Sequence, residues 1–158
     1  MNNKALVKTP FLFLLLMIPA FLWSQPIRQM ENTAFGRGEK LTFRVYYQSL
    51  LTGKVTAGEA NIEVRNKKVM KNNRPTYHIV GTGESKGAFN MFFKVKDRFE
   101  TYVDEEGMFP WYFVRRTREG GYKKDDEVTF EQNSNLAISR NAVKRVPANI
   151  QDIVSVFY

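Results

Sequence analysis

From Glu39 onward the chain alternates. In "EKLTFRVYYQSL", Leu41, Phe43, Val45 and Tyr47 fall on one face, and Thr42, Arg44, Tyr46 and Gln48 on the other. A period of two predicts a half-buried strand. "LTGK" (Leu51 to Lys54) turns the chain, and "VTAGEANIEVRN" resumes the alternation. There Ala60, Ile62 and Val64 point in, while Glu59, Asn61, Glu63 and Arg65 point out, so the two strands form a hairpin. "NKKVMKNNRP" reads as a polar turn and "TYHIVGTGES" as a third strand. "KGAFNMFFKV" breaks the pattern with clustered Ala88, Phe89, Phe92 and Phe93, which predicts a short helical turn or a bulged link.

Alternation returns in "KDRFETYVD", with Phe99, Thr101 and Val103 opposite Arg98, Glu100 and Tyr102. "DEEG" is a turn in which Gly107 suits a positive φ. "MFPWYFVRRTRE" is the next strand, and its Pro110 suits a strand start or an edge. "GG", "YKKDDEVTFEQ", "NSN" and "LAISRNAVKRV" extend the series as turn, strand, turn and strand. Short strands joined by turns predict an antiparallel meander.

The end differs. In "PANIQDIVSVFY", Asn149 is placed as an N-cap with Asp152 three residues on, a capping-box spacing with Asp for Glu. Ile150, Ile153, Val154 and Phe157 then share a helical face. A C-terminal helix starting near Asn149 is expected. Nothing signals its stop at Tyr158, so the chain is expected to be cut inside that helix. The expected fold is mainly β: a highly curved, half-barrel-like meander whose apolar concave face is partly closed by the terminal helix. Such a face must be covered by a helix, a second sheet, a partner or a bound acyl chain.

The N-terminus adds an address. Lys4 and Lys8 precede an apolar run from Pro10 to Trp23, followed by Ser24-Gln25. This is a secretory signal peptide, short for a spanning helix, with cleavage near Ser24 and Ala20 as a second candidate. Residues 1–24 are thus read as a leader and 25–158 as one domain, exported to the periplasm or cell envelope. Export weakens nucleotide and cytosolic DNA hypotheses.

Composition agrees with a globular body, at 43% hydrophobic and 14% aromatic over 158 residues. The formal charge is +8. Without Lys4 and Lys8 the body holds 22 bases and 16 acids, or +6. That mixed, basic surface suits solubility first, then anionic lipid or polysaccharide, with nucleic acid behind both. With no cysteine, disulfides, thiol catalysis and Cys-zinc sites are excluded.

Candidate chemistry is thin. His78 is the lone histidine and lacks a G-x-S-x-G elbow or a second metal ligand. "GTGESKG" (Gly81 to Gly87) matches neither phosphate-loop spacing, and no long helix follows it. Asp104, Glu105 and Glu106 are neighbours in a turn, too short a run for a calcium loop, and are read as diverging into water. Asp125, Asp126 and Glu127 are read the same way. No catalytic residue, metal or cofactor is assigned, and no enzyme is expected.

Arg115, Arg116 and Arg118, with Lys123 and Lys124 across the "GG" turn, form the densest basic patch, near Trp111 and Tyr112. They are candidates for contact with an anionic surface or a partner. Seven aromatics, Phe89, Phe92, Phe93, Phe99, Phe109, Trp111 and Phe113, are many for a small core. Of these, Phe89, Phe92, Phe93, Trp111 and Phe113 are taken as candidate ligand contacts.

Three stretches carry a resemblance: "YYQSLLTGKVTAGEANIEV" (Tyr46 to Val64), "VKDRFETYVDEEGMFPWYFVRRTREGGYKK" (Val95 to Lys124) and "VPANIQDIVSVFY" (Val146 to Tyr158). The chain resembles family 3108 of the domains of unknown function. The shared features are an A-G-E-A-like second strand, then D-R, an acidic turn and Pro-aromatic. The resemblance implies an exported Gram-negative envelope protein with a curved antiparallel sheet, a longer parent and no established functional residues.

Three roles stand at this point. One is a binding or carrier module for an apolar or amphiphilic envelope ligand, such as a lipid or glycolipid. Another is an assembly protein that docks an envelope partner through the basic hairpin. The least favoured is a hydrolase using His78 or the acids.

Overall fold

A computed structural model describes residues 27–51 and 53–158. The leader, residues 1–24, lies outside them. The body is one antiparallel sheet of nine strands: β1 (Lys40–Ser49), β2 (Gly53–Val64), β3 (Val69–Lys71), β4 (Arg74–Ser85), β5 (Lys96–Asp104), β6 (Pro110–Glu119), β7 (Tyr122–Glu131), β8 (Leu136–Ser139) and β9 (Ala142–Arg145). Their order is β1-β2-β4-β5-β6-β7-β8-β9, with β1 and β9 as free edges. β3 pairs with the start of β4 and continues the line of β2, which pairs with the rest of β4. The only helical pieces among the described residues are α1 (Phe89–Phe92) and a 3-10 turn (Ser155–Phe157).

The register shows why one face is the core. Val64, Ile79, Thr101, Phe113 and Val128 lie in one row across five strands. The first three are fully buried. Val103, Phe130 and Val154 complete the cluster, and Phe35, Tyr77, Phe99 and Ile150 pack against it. The inner face of the sheet is covered by two straps. Residues around Phe35 come from the N-terminal side, and residues 150–158 come from the C-terminal side.

The C-terminal strap is not a helix. Asn149 has φ +56°, a left-handed conformation that cannot start one. Asp152 does the capping instead: its Oδ1 accepts the N–H of Val154 at 2.8 Å and of Ser155 at 3.0 Å. These are the bonds of an N-cap, and a 3-10 turn (Ser155–Phe157) follows it. The Thr101 hydroxyl donates to Asp152 Oδ2 at 2.5 Å, which ties the strap to β5. Val154 lies over Gly81: a Cβ there would sit 3.8 Å from the valine methyl.

Two hairpins were hidden in segments read as a turn and as one strand. Asn72 and Asn73 both take positive φ (49° and 58°), the geometry of a tight two-residue hairpin turn, which makes "NKKVMKNNRP" into β3 and the start of β4. Arg140 and Asn141 split "LAISRNAVKRV" into β8 and β9. In the acidic turn the left-handed residue is Met108 (φ 51°), not Gly107. Gly107 is required for another reason: a Cβ there would lie 2.2 Å from the buried Phe109 ring.

The acidic turn does not diverge into water. Asp104 is fully buried at the lower end of the sheet. Its carboxylate accepts two bonds from Arg74, one from the Trp111 indole at 2.9 Å, and the N–H of Glu106 and Gly107 at 3.0 and 2.6 Å. Glu105 pairs with Arg37, and Glu106 pairs with Arg74. Arg28 donates to the carbonyls of Gly107 and Met108. Burial pushes the Asp104 carboxyl up, but the bonds from Arg74, Trp111 and Gly107, and the Arg74 charge, outweigh it and hold it below the usual range.

Candidate functional site

The straps cover only part of the inner face. β1 presents Leu41, Phe43, Val45 and Tyr47 on that face, as the alternation predicts, yet they are 40%, 49%, 54% and 50% exposed. The half-buried strand is therefore bare on the side meant for packing. Next to this bulky row, the partner positions above Ile62 are small. Leu41 faces Ile62 and then Gly81, and Phe43 faces Ala60 and then Gly83. A Cβ on Gly83 would meet nothing within 4 Å. On the far side stand Phe99, opposite Gly81 in β5, and Val154 of the strap. The result is a trough with an aromatic-aliphatic wall on β1, a floor of Ala60, Gly81 and Gly83, and a second wall of Phe99 and the strap.

The β1–β2 pairing slips between Val45 and Tyr46, leaving Ala57 as the extra residue. Gly58 fits here because a Cβ would come within 2.9 Å of the Glu84 carbonyl. Above the slip, Tyr47 meets Phe89 of α1, ring centroids 5.6 Å apart. α1 thus closes the upper end of the trough. Phe93 rests on Gly120 of the β6–β7 turn, while Met91 and Phe92 are 85% and 86% exposed.

The sequence-assigned ligand residues separate into two places. Phe89, Phe92 and Phe93 sit together on and beside α1, at the upper end. Trp111 and Phe113 are buried in the sheet, 4% and 9% exposed. Trp111 packs edge-on against Phe109 and donates to Asp104. Phe113 belongs to the core row. The β1 row was found as a strand face but not as a site, because a period of two names the face without saying whether anything covers it.

The basic hairpin is divided as well. Arg115 lies on the inner face and pairs with Asp126, directly opposite it. Arg116 and Arg118 lie on the outer face. Arg118 pairs with Asp125 at 2.7 Å, and Arg116 approaches Glu100 and Glu127 at 3.7 and 3.9 Å. Lys124 is 3.4 Å from Asp126. Asp125 and Asp126, read as a solvated turn, are the strand partners of Arg116 and Arg115, and Glu127, opposite Val114, accepts from the Tyr112 hydroxyl. Lys123 has no acid partner among the described residues.

The outer face also holds His78. Its Nε2 donates to Glu100 Oε2 at 2.7 Å, and its ring stacks on Tyr102 at 4.4 Å. Arg98 donates to the other Glu100 oxygen at 2.8 Å. Burial pushes the Glu100 carboxyl up, but the bonds and charges of Arg98 and His78 prevail and hold it low. Lys71 lies over the rings of Tyr102 and Tyr112 at 4.5 and 4.6 Å. Burial, with the bond to Glu127, pushes the Tyr112 hydroxyl up to about 12. Glu100 is held by Arg98, His78 and Arg116, an arrangement that fixes strand register more readily than it frees a base. No group of three or more metal-ligating side chains occurs among the described residues.

The profile of a family described as "Protein of unknown function (DUF3108)" matches residues 42–158. No curated protein and no solved structure matches the chain.

Proposed function

Because the chain belongs to the DUF3108 family of proteins of unknown function, a premise that assigns no activity, we propose its role from geometry: a non-enzymatic binding module for an apolar or amphiphilic ligand. One observation carries this reading. Leu41, Phe43, Val45 and Tyr47 face the trough and remain about half exposed, while Ile79 on the same face two strands away is fully buried. Contiguous exposed apolar surface on a soluble domain marks a binding site. An acyl chain fits the trough's chemistry: aliphatic and aromatic walls, and a glycine floor that lets a ligand approach the backbone. The leader-like N-terminus supports placing the protein, and hence its ligand, in the cell envelope.

Docking through the basic hairpin has less support, since Arg115, Arg116 and Arg118 each face an acid. Hydrolysis has least, since His78 is committed to Glu100 and stacked on Tyr102.

The test is native mass spectrometry of the protein purified from the envelope fraction of cells that produce it. A discrete added mass that dissociates as lipid or glycolipid is expected. Gly83→Leu would place a side chain in the open floor, so it should remove the added mass while thermal stability holds or rises, because a strand glycine is replaced. Phe43→Asp should also remove it at a stability cost within about 0.5 kcal/mol, as expected for a half-exposed side chain. A clean apo mass for the unmodified protein, or a mass indifferent to both changes, would count against the proposal.

A further inference from the structure

The upper end of the sheet is built unlike the lower one. The β1–β2 turn, α1 and the β6–β7 turn all lie there: Ser49 pairs with Gly53, Phe89 meets Tyr47, and the Gly120 N–H bonds the Lys94 carbonyl at 2.8 Å. Leu50 and Leu51 at the first turn are wholly exposed, and Met91 and Phe92 on α1 nearly so. These side chains project from separate turns rather than lining a pocket. They are also ringed by lysines. Lys54 lies over Tyr46 at 4.0 Å, Lys86 flanks α1 and pairs with Glu84, and Lys94, Lys96 and Lys123 make no ion pair among the described residues, although Glu84 stands opposite Lys96. At the lower end the cations Arg37 and Arg74 are taken up in ion pairs with Glu105, Asp104 and Glu106.

We propose that this upper end docks on an anionic lipid leaflet, with Leu50, Leu51, Met91 and Phe92 entering the headgroup–acyl boundary and the lysines meeting lipid phosphates. The charge pattern selects the occupant. A second copy meeting this end would set lysines against lysines, and like charges across a contact are unfavourable. Apolar tips projecting from separate turns suit a deformable apolar medium, and unpaired lysines beside them suit its negative surface potential. The inference goes beyond the ligand reading and does not depend on it, since a protein can dock on a leaflet whether or not its trough is loaded.

Co-sedimentation with phosphatidylcholine vesicles, with and without phosphatidylglycerol, tests it. Both the full chain and the form beginning at Gln25 are used, the fold of the latter checked by circular dichroism, so that the apolar run Pro10 to Trp23 is not what binds. Partitioning is expected only with phosphatidylglycerol, and should weaken as salt rises. Leu51→Ser with Phe92→Ser should weaken it by about tenfold or more. Lys94→Gln, Lys96→Gln and Lys123→Gln together should weaken it by roughly fivefold per lysine. All five side chains make few contacts, so melting temperatures should not move, and either variant set suffices if the other misfolds. Failure of the unmodified protein to partition, or partitioning unchanged by both sets, overturns the proposal. So does a concentration-dependent dimer, without vesicle binding, that Leu51→Ser with Phe92→Ser abolishes. Vesicle binding with a clean apo mass would leave docking standing and remove only the ligand.

Discussion

Asp104→Ala is expected to cost about 3–5 kcal/mol of folding free energy, the range for removing one partner of a buried ion pair. The change strips the acceptor from Arg74, from the Trp111 indole and from two backbone N–H groups at once. Domains of this size hold only about 5–15 kcal/mol in total, so the variant should melt far below the parent. Asp104→Asn should cost less, because its carbonyl oxygen still accepts from Glu106 and Gly107 while its amide cannot accept from Arg74. The pH dependence identifies the mechanism. The Asp104 carboxyl lies below its ordinary value in the folded protein, so its contribution is complete above about pH 4 and is lost as pH falls through the depressed value. Urea titrations at neutral pH and near pH 3 should therefore show the gap between parent and Asp104→Ala narrowing in acid. A gap of equal size at both pH values would mean that packing, not the carboxylate, is what the mutation removed.

Val154→Asp is the second large effect. Val154 is 5% exposed and belongs to the core with Ile79 and Phe113. Losing that burial forfeits about 1.5–3 kcal/mol, and an unpaired carboxylate among apolar neighbours adds a further penalty. The strap should release from the sheet before the sheet itself melts, because most of the strands' hydrogen bonds do not involve it. Release has its own pH signature. Burial pushes the Asp152 carboxyl up, and although Thr101, Ser155 and Val154 donate to it, it stays above its ordinary value. A raised carboxyl favours folding below its ordinary value, and that contribution is lost as pH rises through the raised one. In Val154→Asp this alkaline-going loss should vanish, since a released Asp152 titrates as in an open chain. Hydrogen exchange should show Val154 to Val156 amides opening while β4 to β6 stay protected. Uniform loss of protection would mean that strap and sheet are one cooperative unit.

Much of the sheet was legible from alternation alone. In β5, Phe99, Thr101 and Val103 share the inner face as a period of two requires, and Pro110 does begin β6, although in the sheet interior and not at an edge; the bulge at Trp111, where the pairing slips, was not visible in the alternation. The register of the basic hairpin was also within reach. Centring it on Gly120-Gly121 sets Arg116 opposite Asp125 and Arg115 opposite Asp126, which dissolves the apparent basic patch. The partners of Asp104 were not legible, because Arg74 is thirty residues away and reaches it only through the fold. The terminal helix was placed too early because Asn149 and Asp152 both look like caps in sequence; the carboxylate that caps the amides of Val154 and Ser155 is Asp152's, and among the described residues only a 3-10 turn follows it. The trough was invisible for a simpler reason. Alternation says which way Phe43 points, not whether anything lies over it.

The topology also sets an order of assembly. Apart from β2 with β4, where the β3 hairpin intervenes, each strand pairs with its neighbour in sequence. Hairpins of this kind close in about 1–10 μs and need little long-range search. The contacts that complete the inner face are the distant ones: Thr101 with Asp152, 51 residues apart, and Arg28 with Met108, 80 apart. A folding chain would therefore form strands first and lay the straps across them last. During that interval the whole inner face would resemble the trough, and any amphiphile present would meet it before the straps did. Pulse-labelled exchange during refolding should accordingly protect β4 to β7 before Val154 and Ser155, and simultaneous protection would argue that the straps are part of the nucleus.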